Sequence, residues 1–235
     1  MKKFLLLAVV FVVSNVVFAQ EVTFGAKVGV NYGATLTSDA DYNALFKGAI
    51  RPQFGVFAEL NLSDAFALQG GLEYFGSGFQ GKGEDVDYKP LGSPVELQVK
   101  NEVKGKLAYL QVPVLAKYYI TEGFSVEAGP YVGFLLSAKY DGKSTTSYNG
   151  SVVGTTDYDN EDLKDEYNST DFGLKFGVGY KLENGLMFSA GYNLGLSDIQ
   201  KEEEGEVSGD DGVIGTESFK VKNQFFQFGV GYKFL

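Results

Sequence analysis

The feature that most constrains this chain is an alternation of large apolar with small or polar residues that keeps one parity throughout. Near the C-terminus, Phe226, Phe228, Val230, Tyr232 and Phe234 occupy even positions, while Gln227, Gly229, Gly231 and Lys233 lie between them. Successive side chains of a strand point to opposite faces, so such a stretch is a strand with one apolar face. The same parity recurs in segments 22–34, 49–61, 65–75, 106–119, 124–140, 171–181 and 186–196, and the final strand begins near Phe219. Phe24, Val28, Phe54, Val56, Leu72, Val114, Phe134, Phe176 and Phe188 all fall on even numbers.

Two all-β architectures compete for such strands. A soluble sandwich or a lipocalin-like barrel hides its large residues and turns its charges to water. A membrane barrel turns large residues to lipid and fills a narrow interior with glycine and polar groups. Here the strand charges share the odd face with the glycines, and the even face carries charge only at strand starts, at Lys106, Lys220 and Lys222. A charge facing hydrocarbon costs about 2–4 kcal/mol near the midplane, so this is the pattern lipid imposes. Tyr32, Tyr74, Tyr118, Tyr140, Tyr180, Tyr192 and Tyr232 are expected to form aromatic girdles at the two interfaces.

Connection lengths agree. Residues 62–64, 121–123 and 182–185 have tight-turn chemistry, whereas 35–48, 76–105, 141–170 and 197–218 are expected to be long loops. Short periplasmic turns opposite long extracellular loops define a closed antiparallel up-and-down transmembrane β-barrel of eight strands. Pro113 interrupts the pattern, since proline removes a ladder hydrogen bond and a closed barrel has no edge to place it on. A bulge or a water-filled gap is expected there.

The first residues read as a secretory signal. Lys2 and Lys3 precede the apolar run 4–13, and Val17-Phe18-Ala19 offers a cleavage site. The apolar run is about half the ~20 residues of a membrane span. Residues 1–19 are therefore expected to be removed, leaving 20–235 as one barrel domain exported to the outer membrane.

With these elements in place, a family resemblance emerges. Tyr109-Leu110-Gln111-Val112-Pro113-Val114-Leu115-Ala116-Lys117-Tyr118 resembles the Tyr-Leu-(Glu/Gln)-Ile-Pro-x-Leu-x-Lys-Tyr strand of PorT-like outer-membrane β-barrel proteins. Gly129-Pro130-Tyr131-Val132-Gly133, Asp171-Phe172-Gly173 and Gly177-Val178-Gly179-Tyr180 resemble the strands that follow it. The resemblance implies an eight-stranded barrel of the OmpA/OmpX type. Outer-membrane barrels usually end in a Phe read by the assembly machinery; here Leu235 follows Phe234.

The odd face places Lys27, Arg51, Glu59, Glu73, Lys117, Glu127, Lys139, Asp171 and Lys175 in the interior. Buried ions must pair, so these residues are expected to form a structural polar network that fills the barrel. A narrow porin-like path for ions or small solutes is the alternative use of the same groups. The chain has neither His nor Cys. That removes the commonest general base, thiol chemistry and the histidine used by known barrel lipid-modifying enzymes and omptin proteases, and no catalytic, cofactor or metal site is expected.

Acidity is concentrated in two places. Without Lys2 and Lys3 the chain has 18 basic and 30 acidic residues, a net charge of −12. Residues 141–170 carry −5 and 198–218 carry −7, so the rest is neutral. Nucleic acid is therefore excluded as a partner. The expected partners are outer-membrane lipid and lipopolysaccharide, the assembly machinery at the C-terminal strand, and a protein at the acidic loops. Asp157-Tyr158-Asp159-Asn160-Glu161-Asp162 invites a calcium reading, but the sixth and twelfth positions hold Asp162 and Asn168 rather than Gly and Glu. A solvated acidic loop is the simpler expectation.

Overall fold

The computed structural model describes residues 22–37, 46–82, 86–88, 97–201 and 220–234. The expected signal peptide and most of the acidic stretch 198–218 lie outside them. The strands are β1 (Val22–Thr37), β2 (Phe46–Asn61), β3 (Phe66–Lys82), β4 (Val86–Tyr88), β5 (Leu97–Tyr119), β6 (Phe124–Tyr148), β7 (Ser151–Asp162), β8 (Thr170–Lys181), β9 (Leu186–Gly195) and β10 (Val221–Phe234). A single 3₁₀ turn, Lys164–Glu166, precedes β8.

Eight of these strands close a ring. Antiparallel pairs run β5-β3-β2-β1-β10-β9-β8-β6, and β5 then pairs with β6. The fold is thus the antiparallel up-and-down barrel expected from the alternation. Directly paired residues lead from Val22 through Leu60, Leu68, Ala116, Ala128, Phe176, Tyr192 and Phe226 back to β1 at Tyr32, ten residues beyond the start. With strands about 4.8 Å apart and a rise of about 3.3 Å per residue, this stagger tilts the strands by roughly 40° and sets a backbone radius of about 8 Å. A cylinder that narrow is filled by its own inward side chains.

The outward face is apolar. Phe24, Val28, Phe54, Val56, Phe66, Phe134, Phe172, Phe176, Phe226, Phe228 and Val230 are all exposed. Tyr118, Tyr180 and Tyr232 ring the short-turn end, and Tyr32, Tyr74 and Tyr192 lie nearer the other end. Aromatic pairs form between neighbouring strands on this face: Phe54 stacks on Tyr74 with ring centroids 4.8 Å apart, and Phe66 meets Tyr118 at 4.9 Å.

Pro113 and Pro130 interrupt the ladder without shifting it, whereas the β2–β3 register shifts by one between Gly48 and Gln53, beside Pro52. Between β3 and β5, pairing passes from Gly70↔Val114 to Glu73↔Gln111 in constant register, skipping Pro113. Between β5 and β6 it passes from Pro113↔Tyr131 to Ala116↔Ala128, skipping Pro130. Pro113 therefore leaves a gap in the pairing, one of the two outcomes expected, and the bulge is absent there. It occurs higher up, where Tyr109 pairs with Leu135 but Ala108 pairs with Ser137, leaving Leu136 as the extra residue.

That bulge inverts the parity of β6. Beyond it, Ala138 is 1% exposed and turns inward, while Lys139 is exposed and points outward. The expectation that Lys139 lies in the interior is corrected accordingly. Tyr140 is likewise half-buried on the face opposite Lys139 rather than in an outer girdle.

Two of the expected long loops are largely strand. β5 begins at Leu97, and β6 continues to Tyr148 before β7 returns along it. The turn between them is Asn149-Gly150, with φ of 46° and 78°. Positive φ at both central residues matches the I′ geometry that suits a twisted hairpin. From Leu136 to Tyr148 the hairpin extends about 40 Å along the strand at ~3.3 Å per residue. Every residue of β7 is exposed.

The two exposed surfaces should respond differently to charge. Val28, 62% exposed at mid-height, should lose about 2–4 kcal/mol as Val28→Lys. Val153, equally exposed on β7 at 62%, should tolerate Val153→Lys within about 0.5 kcal/mol. Urea unfolding of the protein inserted in lipid vesicles measures both; equal losses would mean the outward face of β1 meets no hydrocarbon.

Candidate functional site

The inward face sorts into layers along the barrel axis. Nearest the short turns, Glu59 is fully buried between two lysines, with Lys117 Nζ at 3.1 Å and Lys233 Nζ at 2.8 Å. The Tyr119 hydroxyl donates to the same carboxylate at 2.5 Å. Lys117 also donates to Gln69 Oε1 at 3.2 Å and approaches Glu127 at 3.5 Å. One level up, Glu73 receives Lys27 Nζ at 2.7 Å and Lys175 Nζ at 2.9 Å. Gly25 makes room for the large inward residues at this end: a Cβ there would stand 2.2 Å from the Phe57 ring.

At mid-height comes a belt of amides. Asn31, Gln53, Gln111, Asn193 and Gln227 are all buried, and register sets them at nearly one level. Asn31 donates to the Gly76 carbonyl at 2.9 Å, and Asn193 reaches Gln111 at 3.4 Å. Asn31 Oδ1, Gln53 Oε1, Asn193 Oδ1 and Gln227 Nε2 have no hydrogen-bond partner among the described residues. Buried amide atoms of this kind suit bound water.

Above the belt sits Asp171. Its carboxylate accepts from Ser197 Oγ at 2.7 Å, Asn223 Nδ2 at 2.9 Å and the Tyr131 hydroxyl at 3.3 Å. Unlike the two glutamates below, it is held by neutral donors rather than by a cation. Arg51 donates through Nη2 to the Gly105 carbonyl at 2.9 Å.

The top layer is apolar. Phe75, Leu107, Tyr109, Leu135, Ala138, Ile199 and Phe225 form one buried cluster, with Tyr167 and Val221 against it. Phe75 and Phe225 meet edge to face at 5.1 Å. Ile199 comes from the β9–β10 connection and is fully buried. Its N–H donates to the Val221 carbonyl and its carbonyl accepts from Asn168 N–H, both at 2.9 Å. The segment thus folds inward over the mouth and is fastened on both sides.

Of the residues expected inside, Lys27, Glu59, Glu73, Lys117, Glu127, Asp171 and Lys175 are brought together as an ion-paired or hydrogen-bonded filling. Arg51 joins through a backbone carbonyl, and Lys139 does not join. Sequence reasoning missed the apolar lid. Phe75, Tyr109, Leu135 and Phe225 share the odd parity of the lysines and glutamates, which was the signal for them. Ile199 lies in the acidic stretch 198–218, where no alternation marks it.

The outer hairpin holds the second concentration of charge. Lys106 and Asp141 form an ion pair at its base, and the Lys106 ammonium holds the Asp141 carboxyl below the usual carboxylate range. An open cleft of about 330 Å³ beside them is lined by Glu102, Lys104, Asp141, Lys143, Asp157 and Asp159, among others. The stretch considered for calcium, 157–162, is part of β7 rather than an ion-binding loop. Among the described residues no three acidic side chains converge as a metal site.

Glu73 is the keystone of the lower filling, and Glu73→Gln would leave Lys27 and Lys175 facing each other in a buried space. Breaking a buried ion pair from one side costs about 3–5 kcal/mol. The variant should unfold in chemical denaturant with a loss of about that size, and the double variant Glu73→Gln with Lys175→Met should recover part of it. A neutral single variant would mean the three charges are solvated.

Three solved structures match this chain over most of its length. Ail, the attachment invasion locus protein of Yersinia pestis, is 12% identical, with 92% of this chain and 99% of that one covered at a TM-score of 0.38. Neisserial surface protein A is 12% identical, with 91% and 97% covered and a TM-score of 0.34. CarO of Acinetobacter baumannii is 13% identical, with 89% and 97% covered and a TM-score of 0.35. No curated protein matches the sequence. Residues 18–201 match the family described as the outer membrane protein beta-barrel domain, so the chain belongs to that family and is an outer-membrane β-barrel.

Proposed function

We propose that this protein is a non-conducting, non-enzymatic anchor that presents the β6–β7 hairpin outside the cell for binding. The observation that carries this reading is the contrast between the two ends of the fold. The lumen is blocked by the Glu59–Lys117–Lys233 cluster below and by the Ile199 lid above, while β7 is exposed along its whole length. A pore needs a continuous polar path, and the apolar lid interrupts one. Catalysis needs an accessible pocket with a nucleophile or base, and the inward carboxylates of Glu59 and Glu73 are committed to lysines.

The short turns then face the periplasm and the hairpin faces outward. The apolar belt meets lipid, including lipopolysaccharide, and the C-terminal strand β10 serves as the signal to the assembly machinery. Export runs through the secretory route with residues 1–19 removed. Within the family, the strand around Pro113 supports a PorT-like reading of the chain. A structural, adhesive or secretion-related role through the hairpin follows from this arrangement.

Two measurements test the reading. Purified protein in planar bilayers should give no stable conductance, and sustained nanosiemens-scale openings would overturn the anchor model in favour of a channel. An epitope inserted at Gly150 should be labelled on intact cells; labelling only after the outer membrane is permeabilised would reverse the orientation.

A further inference from the structure

The hairpin has one protected half and one unprotected half. Among the described residues β7 pairs only with β6, so its second edge is open. Proteins normally blunt such edges with charge, proline or a covering element, because unpaired N–H and C=O groups recruit other strands. Residues 157–162 follow this rule with Asp157, Asp159, Glu161 and Asp162. Residues 151–156, Ser-Val-Val-Gly-Thr-Thr, hold no charge and no proline, four of the six are β-branched, and their one irregularity is a register shift against β6 at Val153. Val152 and Val153, at 64% and 62% exposed, are presented beside Tyr148 at the far end of the hairpin.

We propose that the open edge of β7 at 151–156 takes up an extended segment of another protein by strand addition. The segment carries β-branched or apolar residues against that half and Lys or Arg alongside 157–162. Main-chain hydrogen bonds would supply the attachment, and the acidic half would supply selection by charge. For an antiparallel addition, the incoming strand runs from the membrane towards the tip, so its basic residues precede its apolar ones. A second copy in the same membrane fits poorly. Its β7 would lie parallel to the first and set Asp157, Asp159, Glu161 and Asp162 beside themselves, and like charges on neighbouring strands are destabilising. The proposal rests on the outward presentation of the hairpin argued above.

The test uses the full chain refolded in detergent micelles and a fluorescent peptide, Lys-Arg-Lys-Arg-Thr-Val-Thr-Val-Thr-Val, read by anisotropy. The peptide should bind saturably, and replacing its basic head by Glu-Asp-Glu-Asp should weaken binding by about tenfold or more at low salt. Methylating alternate peptide nitrogens should abolish binding, because strand addition needs those donors. The double variant Asp157→Lys with Asp159→Lys, which brings 157–162 from −4 to neutral, should abolish the preference between the two heads, and Gly154→Lys should weaken both. Unchanged heat-dependent gel mobility would show that each barrel is still folded. Absence of saturable binding, equal binding of both heads, or full binding of the methylated peptide would each overturn the proposal. If the Gly150 epitope is accessible on cells yet the peptide fails, strand addition falls while the anchor reading stands.

Discussion

The whole structure depends on one constraint: eight strands closed with a stagger of ten residues leave a lumen only side chains can fill. Lipid demands apolar groups outside, so the polar groups have nowhere to go but in. Once inside they lie far from bulk water, where an unpaired ion costs several kcal/mol. The lysines and glutamates of the lower half therefore come as interlocking clusters, with Glu59 and Glu73 each between two ammonium groups. Higher in the barrel the solution changes. Asp171 is satisfied by hydroxyl and amide donors, and above it polar groups give way to an aromatic and aliphatic lid.

Much of this was legible because a strand has a side-chain period of two and a barrel has only two faces. Phe24, Val28 and Phe228 share parity, and all three face outward; Lys27, Glu73 and Lys175 share the other parity and meet inside. Parity carries no information past a bulge. Leu136 adds one residue to β6, and every position beyond it changes face, which is why Lys139 reads as interior in the sequence and stands outside in the structure. Proline was a misleading guide to that bulge. Pro113 and Pro130 delete hydrogen bonds but preserve spacing, so the ladder resumes in register.

The hairpin was hidden for a different reason. Its strands are polar on both faces, so no apolar alternation marks them, and the acidic composition of 157–162 reads as a loop. The local turn chemistry was present throughout: Asn-Gly between Tyr148 and Ser151 is a strong short-range hairpin signal. Ile199 could not have been placed by pattern at all. Its burial depends on the β9–β10 connection folding back over the mouth, a tertiary arrangement with no period to read.

The sealed lumen and the projecting hairpin belong together mechanically. β5 and β6 run without interruption from the membrane-facing barrel into the outer sheet, spanning 23 and 25 residues. No linker separates anchor from tip, and the paired register from Ala116↔Ala128 up to Leu97↔Tyr148 carries the barrel's rigidity outward. The Lys106–Asp141 ion pair braces the base of the outer sheet. A strand held in its extended conformation before any partner arrives has less conformational freedom to lose on binding, and that loss is a principal cost of association. Filling the lumen with fixed ion pairs therefore also gives the exposed edge of β7 a stiff base.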